Sequence, residues 1–155
     1  MRRRYLFSAG PAGLRPVPEK EIWYTSTHGQ AIGLNTDGEL LLESNLYSDG
    51  KGMMRFSNVV TSLPSNMFAN SDGRKRLKSV SLPASVTRIC YNALAQCEFL
   101  EEIILCGPPP SFLDYEIPKR VVITVPDALL NDYMTDGYWG NLQSTNLIRP
   151  WSEHI

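Results

Sequence analysis

The residues of this 155-residue chain best suited to nucleophilic, acid–base or metal chemistry are two histidines and three cysteines. Their spacing assembles no site. His28 falls in a turn expected at Thr27 to Gln30 and His154 stands one residue from the end of the sequence, so neither is expected to be held rigidly enough to act as a base. Cys90, Cys97 and Cys106 are odd in number and form no C-x-x-C pair, which argues against a disulfide set or a thiolate metal centre. Two of them fall at positions expected to face the interior, where a thiol packs as a small hydrophobe and its thiolate is disfavoured. Asn35, Asp37 and Gly38, and again Asp49 and Gly50, spell fragments of a calcium loop without its series of ligands, and they read as turns. G-x-S-x-G, H-E-x-x-H, the phosphate-cradling G-x-x-x-x-G-K-[ST] and the dinucleotide fingerprint are all missing. The expectation is a protein that is not an enzyme, with no cofactor and no metal site.

Charge narrows the partners. Fifteen basic and sixteen acidic residues leave a net charge of −1, which supplies no general drive toward nucleic acid or an anionic membrane. Arg2, Arg3 and Arg4 begin like an export signal, but too few apolar residues follow to make its hydrophobic region, and no membrane-inserting segment is expected. Residues 1–20, with Pro11, Pro16 and Pro18, are expected to form a flexible leader.

What must position any binding residues is an internal repeat. Val60, Thr61, Leu63, Asn66, Phe68 and Ala69 match Val86, Thr87, Ile89, Asn92, Leu94 and Ala95 at a constant offset of 26 residues (86 − 60). A period in the twenties is the mark of a solenoid. Short strands with alternating apolar residues recur at Met54 and Phe56, Val80 and Leu82, Ile103 and Leu105, and Ile123 and Val125, so these side chains face one side and their neighbours the other. Asn66 to Asn70 and Asn92 to Cys97 each suit one helical turn with asparagine as N-cap.

Residues 77–105 resemble the BspA-type leucine-rich repeats of bacterial surface and secreted proteins, whose unit runs L-x-x-I-x-I-P-x-S-V-T-x-I-G-x-x-A-F-x-x-C-x-x-L. Leu77, Val80, Leu82, Pro83, Ser85, Val86, Thr87, Ile89, Ala93, Leu94, Cys97 and Leu100 carry the likeness, and Cys90 stands where the family usually has glycine. The resemblance implies adhesion and protein or matrix binding at a cell surface.

The expected fold class is therefore an α/β solenoid: a short leucine-rich repeat with a parallel β-ladder, an N-terminal β-hairpin cap and a C-terminal helical cap. The expected divisions are the leader at 1–20, the N-terminal β cap at 21–52, the solenoid at 53–126 and the C-terminal cap at 127–155, all in one structural domain. Ile22 to Ser26 is expected to form a hairpin with Ala31 to Leu34, residues 127–134 a short amphipathic helix capped by Asp127, and residues 150–155 a frayed end.

Solenoids bind through their outward strand residues. Here these are Arg55, Ser81, Glu102, Ile104, Val122 and Thr124, accompanied by Met53 and Ser79, and the expected partner is a protein or an extracellular matrix or glycan surface. The alternative is a carbohydrate-binding module in which Trp23, Tyr24 and Tyr47 of the N-terminal cap stack on sugar rings.

Overall fold

A computed structural model describes residues 15–35, 38–69, 71–113 and 117–154. Arg2, Arg3, Arg4, Asp37 and most of the expected leader lie outside the described residues. The strands are β1 (Glu21–Ser26), β2 (Leu42–Ser48), β3 (Lys51–Phe56), β4 (Ser62–Leu63), β5 (Leu77–Leu82), β6 (Arg88–Ile89), β7 (Glu102–Leu105), β8 (Ser111–Phe112), β9 (Val122–Val125) and β10 (Ile148–Pro150). Two six-residue helices complete the set, α1 (Ser71–Arg76) and α2 (Leu130–Thr135).

Alternation of apolar residues decides which side of each strand is buried. Met54 and Phe56, Val80 and Leu82, Ile103 and Leu105, and Ile123 and Val125 all enter one hydrophobic core, together with Ile22 and Tyr24 from β1. Seven strands form one sheet in the order β10-β9-β7-β5-β1-β3-β2, and β4, β6 and β8 form a second, parallel one. Leu63 and Ile89 of the smaller sheet pack into the same core. Register is strict where the repeat runs: Val80 stands beside Ile103, and Ile103 beside Ile123, in adjacent parallel strands.

The expected fold class requires correction. The large sheet is mixed: β5, β7, β9 and β10 run parallel, whereas β1 is antiparallel to both β5 and β3, and β3 is antiparallel to β2. The chain is thus a mixed α/β fold with few helices rather than a parallel-ladder solenoid closed by an N-terminal hairpin cap and a helical cap. The N-terminal strands do not lie across the end of a coil. They continue the sheet sideways, because β1 uses the free edge of β5 for backbone hydrogen bonds while placing Ile22 and Tyr24 in the shared core. The hairpin is also elsewhere: β2 and β3 close around Asp49 (φ 51°) and Gly50 (φ 78°), the left-handed pair that a two-residue hairpin loop needs, while residues 31–35 form no strand.

Asn66 and Asn92 cap no helix. Both adopt φ of 62° in turns, and Asn92 Nδ2 donates to Asn66 Oδ1 over 2.9 Å, so the two copies of the repeat stack residue on residue. Asparagine is among the few side chains that tolerate this region. The left-handed position of the unit is therefore Asn92, and Cys90 does not adopt it.

Residues 127–135 are helical in two pieces, a 3-10 turn at Asp127–Leu129 followed by α2. Asp127 caps neither; its Oδ1 accepts from the Ser152 backbone N–H at 3.0 Å. Trp139 and Tyr133 are fully buried, with Trp139 Nε1 donating to the Pro110 carbonyl at 2.8 Å and the Tyr133 hydroxyl to the Gly107 carbonyl at 2.6 Å. Both bonds fasten the proline-rich connection after β7 to the C-terminal region.

Candidate functional site

The outer face of the large sheet carries the residues singled out from the sequence. Strand register lines up one row across all seven strands: Leu46, Met53, Trp23, Ser81, Ile104, Thr124 and Arg149 stand side by side in that order. A cleft of about 770 Å³ lies along the middle of this row, with Trp23, Met53, Ser81, Glu102 and Ile104 among its walls and Arg15 and His154 at its rim. Arg15 stands over the Trp23 ring with its guanidinium 5.9 Å from the ring centroid, a cation–π distance. A smaller hollow of about 490 Å³ adjoins it beside Val122, between Lys78, Lys119, Arg120, Arg149, Glu101 and Glu102.

The six expected binding residues divide into two groups. Arg55, Ser81, Glu102 and Val122 keep some exposure, and Arg55 is ion-paired with Glu21 at 3.5 Å and with Glu43 at 3.8 Å. Ile104 and Thr124, by contrast, are only 8% and 0% exposed although they point outward. The expectation of a fully open strand face is thereby corrected, and its cause is the C-terminal segment, which is not frayed. After β10 the chain turns back over the outer face through a 3-10 turn at Trp151–Glu153. Trp151 Nε1 donates to the Leu105 carbonyl at 3.1 Å, and His154 Nε2 comes within 3.5 Å of Glu102 Oε1.

Glu102 is the hinge pin of this arrangement. Its Oε2 accepts from Arg149 at 2.9 Å and from the Thr124 hydroxyl at 2.5 Å, while Arg149 Nε also donates to Thr124 Oγ1 at 3.0 Å. A carboxylate with that many donors is neutralised in place, so Glu102 holds the tail rather than offering a free charge. His154, expected to be loose, is held at its backbone by the Trp151 carbonyl and at its ring by Glu102.

The aromatic trio does not form a platform. The Tyr24 ring is buried, with its hydroxyl donating to Asn45 Oδ1 at 2.6 Å, and burial pushes its ionisation up from the ordinary tyrosine range. Tyr47 is half-buried, its hydroxyl donating to the Gly50 carbonyl. Trp23 alone reaches the outer face. Cys97 is buried and Cys90 and Cys106 are half-buried, all three as free thiols. Burial raises the Cys106 thiol to about 11.

Sequence reasoning missed Trp23, Leu46, Arg149 and His154 as members of this face. The first two lie on strands that only antiparallel pairing brings beside β5, and the last two arrive through a segment without periodic pattern. Among the described residues no cluster of three or more metal-ligating side chains occurs, and no helix is long and apolar enough to cross a membrane. No family model matches the chain, and neither a curated protein nor a solved structure is found similar to it.

Proposed function

We propose that this chain is a non-catalytic interaction module that takes a protein segment on the outer face of its large sheet, in the cleft between Trp23, Met53, Ser81 and Glu102. The observation that carries this reading is the unbroken row from Leu46 to Ile104, which sets large apolar side chains beside the Ser81 hydroxyl in a concave strip. Such strips supply both buried apolar area and orienting polar contacts. A setting at a bacterial cell surface, with matrix or glycan targets, rests on the resemblance of residues 77–105 alone. A net charge of −1 favours protein over nucleic acid as the partner.

The test is a random peptide display selection on the immobilised chain, run in parallel on Met53→Glu. Met53 is exposed, so its replacement leaves the core untouched. Peptides enriched on the wild type and weakened at least about tenfold on Met53→Glu support the reading. Enrichment that Met53→Glu does not change, or none at all, counts against it.

A further inference from the structure

We infer that the hollow beside Val122 is a subsite for an acidic residue: it takes the carboxylate of an Asp or Glu side chain carried by the protein segment that lies in the adjoining cleft. This rests on the reading of the cleft as a peptide site and adds the chemistry of one side chain of its ligand. The hollow, of about 490 Å³, shares Thr25, Ser79 and Glu102 with the cleft. Its row, in which Thr25, Ser79, Glu102 and Val122 stand side by side, lies two residues along the strands from the row of Trp23, Ser81 and Ile104. Two residues of strand are about 7 Å, so one extended segment reaches both.

Two irregularities of the backbone bring cations to this hollow. Thr25 faces Ser79 whereas Ser26 faces Leu77, so Lys78 is an extra residue on β5, a bulge. Counted back from the buried Leu82 and Val80, alternation would send Lys78 into the core; the bulge puts Leu77 there instead and leaves Lys78 exposed on the wall of the hollow. The second irregularity is Arg120. It is the third residue of a turn in which the Val121 N–H meets the Pro118 carbonyl at 3.4 Å, and it holds φ of 73°. Glycine is the ordinary occupant of such a position, and arginine is strained there. The turn sets Lys119 and Arg120, both exposed, on the same wall.

Charge selects the ligand. Among the described residues Lys78, Lys119 and Arg120 form no ion pair, while Arg149 is already paired with Glu102. Glu101, which also lines the hollow, is the opposing unpaired charge, so three cations against one carboxylate leave an excess of two. Thr25 Oγ1 and Ser79 Oγ share one hydrogen bond of 2.6 Å, and whichever of them accepts it keeps its own proton to donate. An arginine fork, two ammonium groups and a hydroxyl donor are the groups that hold a carboxylate.

The test sequences the peptides recovered by display on the full chain. Dependence on the cleft is read on Met53→Ala, whose neutral side chain does not itself repel an acid. Peptides that depend on Met53 are expected to be rich in Asp or Glu and to bind at least about tenfold more weakly to Lys119→Glu with Arg120→Glu, a double variant that in its own selection favours Lys or Arg. Arg120→Gly, which relieves the strained angle, is expected to unfold at no lower a temperature than the wild type and still to bind the acidic peptides at least about threefold more weakly. Met53-dependent peptides without an acidic bias, or acidic peptides indifferent to the charge reversal or to Arg120→Gly, overturn the inference and leave the cleft as a peptide site. Absence of any Met53-dependent peptide overturns both. An oligothymidylate that binds more tightly than the acidic peptides also overturns the inference, by making nucleic acid the ligand.

Discussion

Asn92 donates its side-chain amide to the side-chain oxygen of Asn66 across 2.9 Å, and both residues hold the same left-handed backbone, φ 62°. Backbone bonds run alongside, from Asn66 N–H to the Tyr91 carbonyl and from Phe68 N–H to the Ala93 carbonyl. The two copies of the repeat are thereby locked in register on the side of the core opposite the large sheet. Asn92→Ala loses the side-chain bond and forces a β-carbon into a strained region, and is expected to cost about 2 kcal/mol. Asn92→Gly, which removes only the bond, is expected to cost about 1 kcal/mol. Urea unfolding of the pair checks the order; equal losses would remove backbone strain from the account.

Gly107 is required by proximity rather than by its backbone angle. A β-carbon there would stand 2.7 Å from the Ala84 carbonyl oxygen and 2.9 Å from its Cα, both backbone atoms that cannot swing aside. Gly107→Ala is expected to destabilise by about 1–3 kcal/mol. Tyr133→Phe leaves the same residue's carbonyl without its buried donor and is expected to cost a similar amount. Thermal unfolding of the two variants is the measurement, and a neutral Gly107→Ala would show that the connection shifts freely.

The tail depends on one carboxylate. Glu102→Gln removes the charge that Arg149 and His154 share, and is expected to cost about 2 kcal/mol and to free residues 150–154 from the sheet. Hydrogen exchange or carboxypeptidase digestion reads the release, and unchanged protection would mean that Trp151 alone holds the segment. Release would also uncover Ile104 and Thr124 at one end of the cleft.

Alkaline pH is expected to unfold the chain early. The Cys106 thiol is raised from 9.0 to about 11, and the Tyr133 hydroxyl is raised as well, in both cases chiefly by burial. A raised acid keeps its proton in the folded state while the unfolded chain loses it, so the folded state binds more protons and stability falls as pH rises. For Cys106 the loss begins near pH 9 and continues to about pH 11. Cys106→Ala should flatten that part of a pH series of urea midpoints, and an unchanged slope would assign the effect to Tyr133 alone. At pH 8 Cys106 is expected to react slowly with a thiol reagent.

Alternation by itself determined the inward residues of β3, β5, β7 and β9, because two-residue periodicity is local and each apolar pair must leave water on the same side. The repeat offset of 26 residues likewise placed Asn66 on Asn92, since equal segments that stack must align. Only the tertiary structure decided that β1 joins β5 antiparallel, turning an expected cap into part of a mixed sheet. That pairing joins residues more than fifty positions apart, and nothing within either segment distinguishes it from a local hairpin. The same holds for the C-terminal segment: Ile104 and Thr124 follow the outward parity yet are buried, and Thr124 is bonded to Glu102 and Arg149 through long-range contacts that carry no periodic signature.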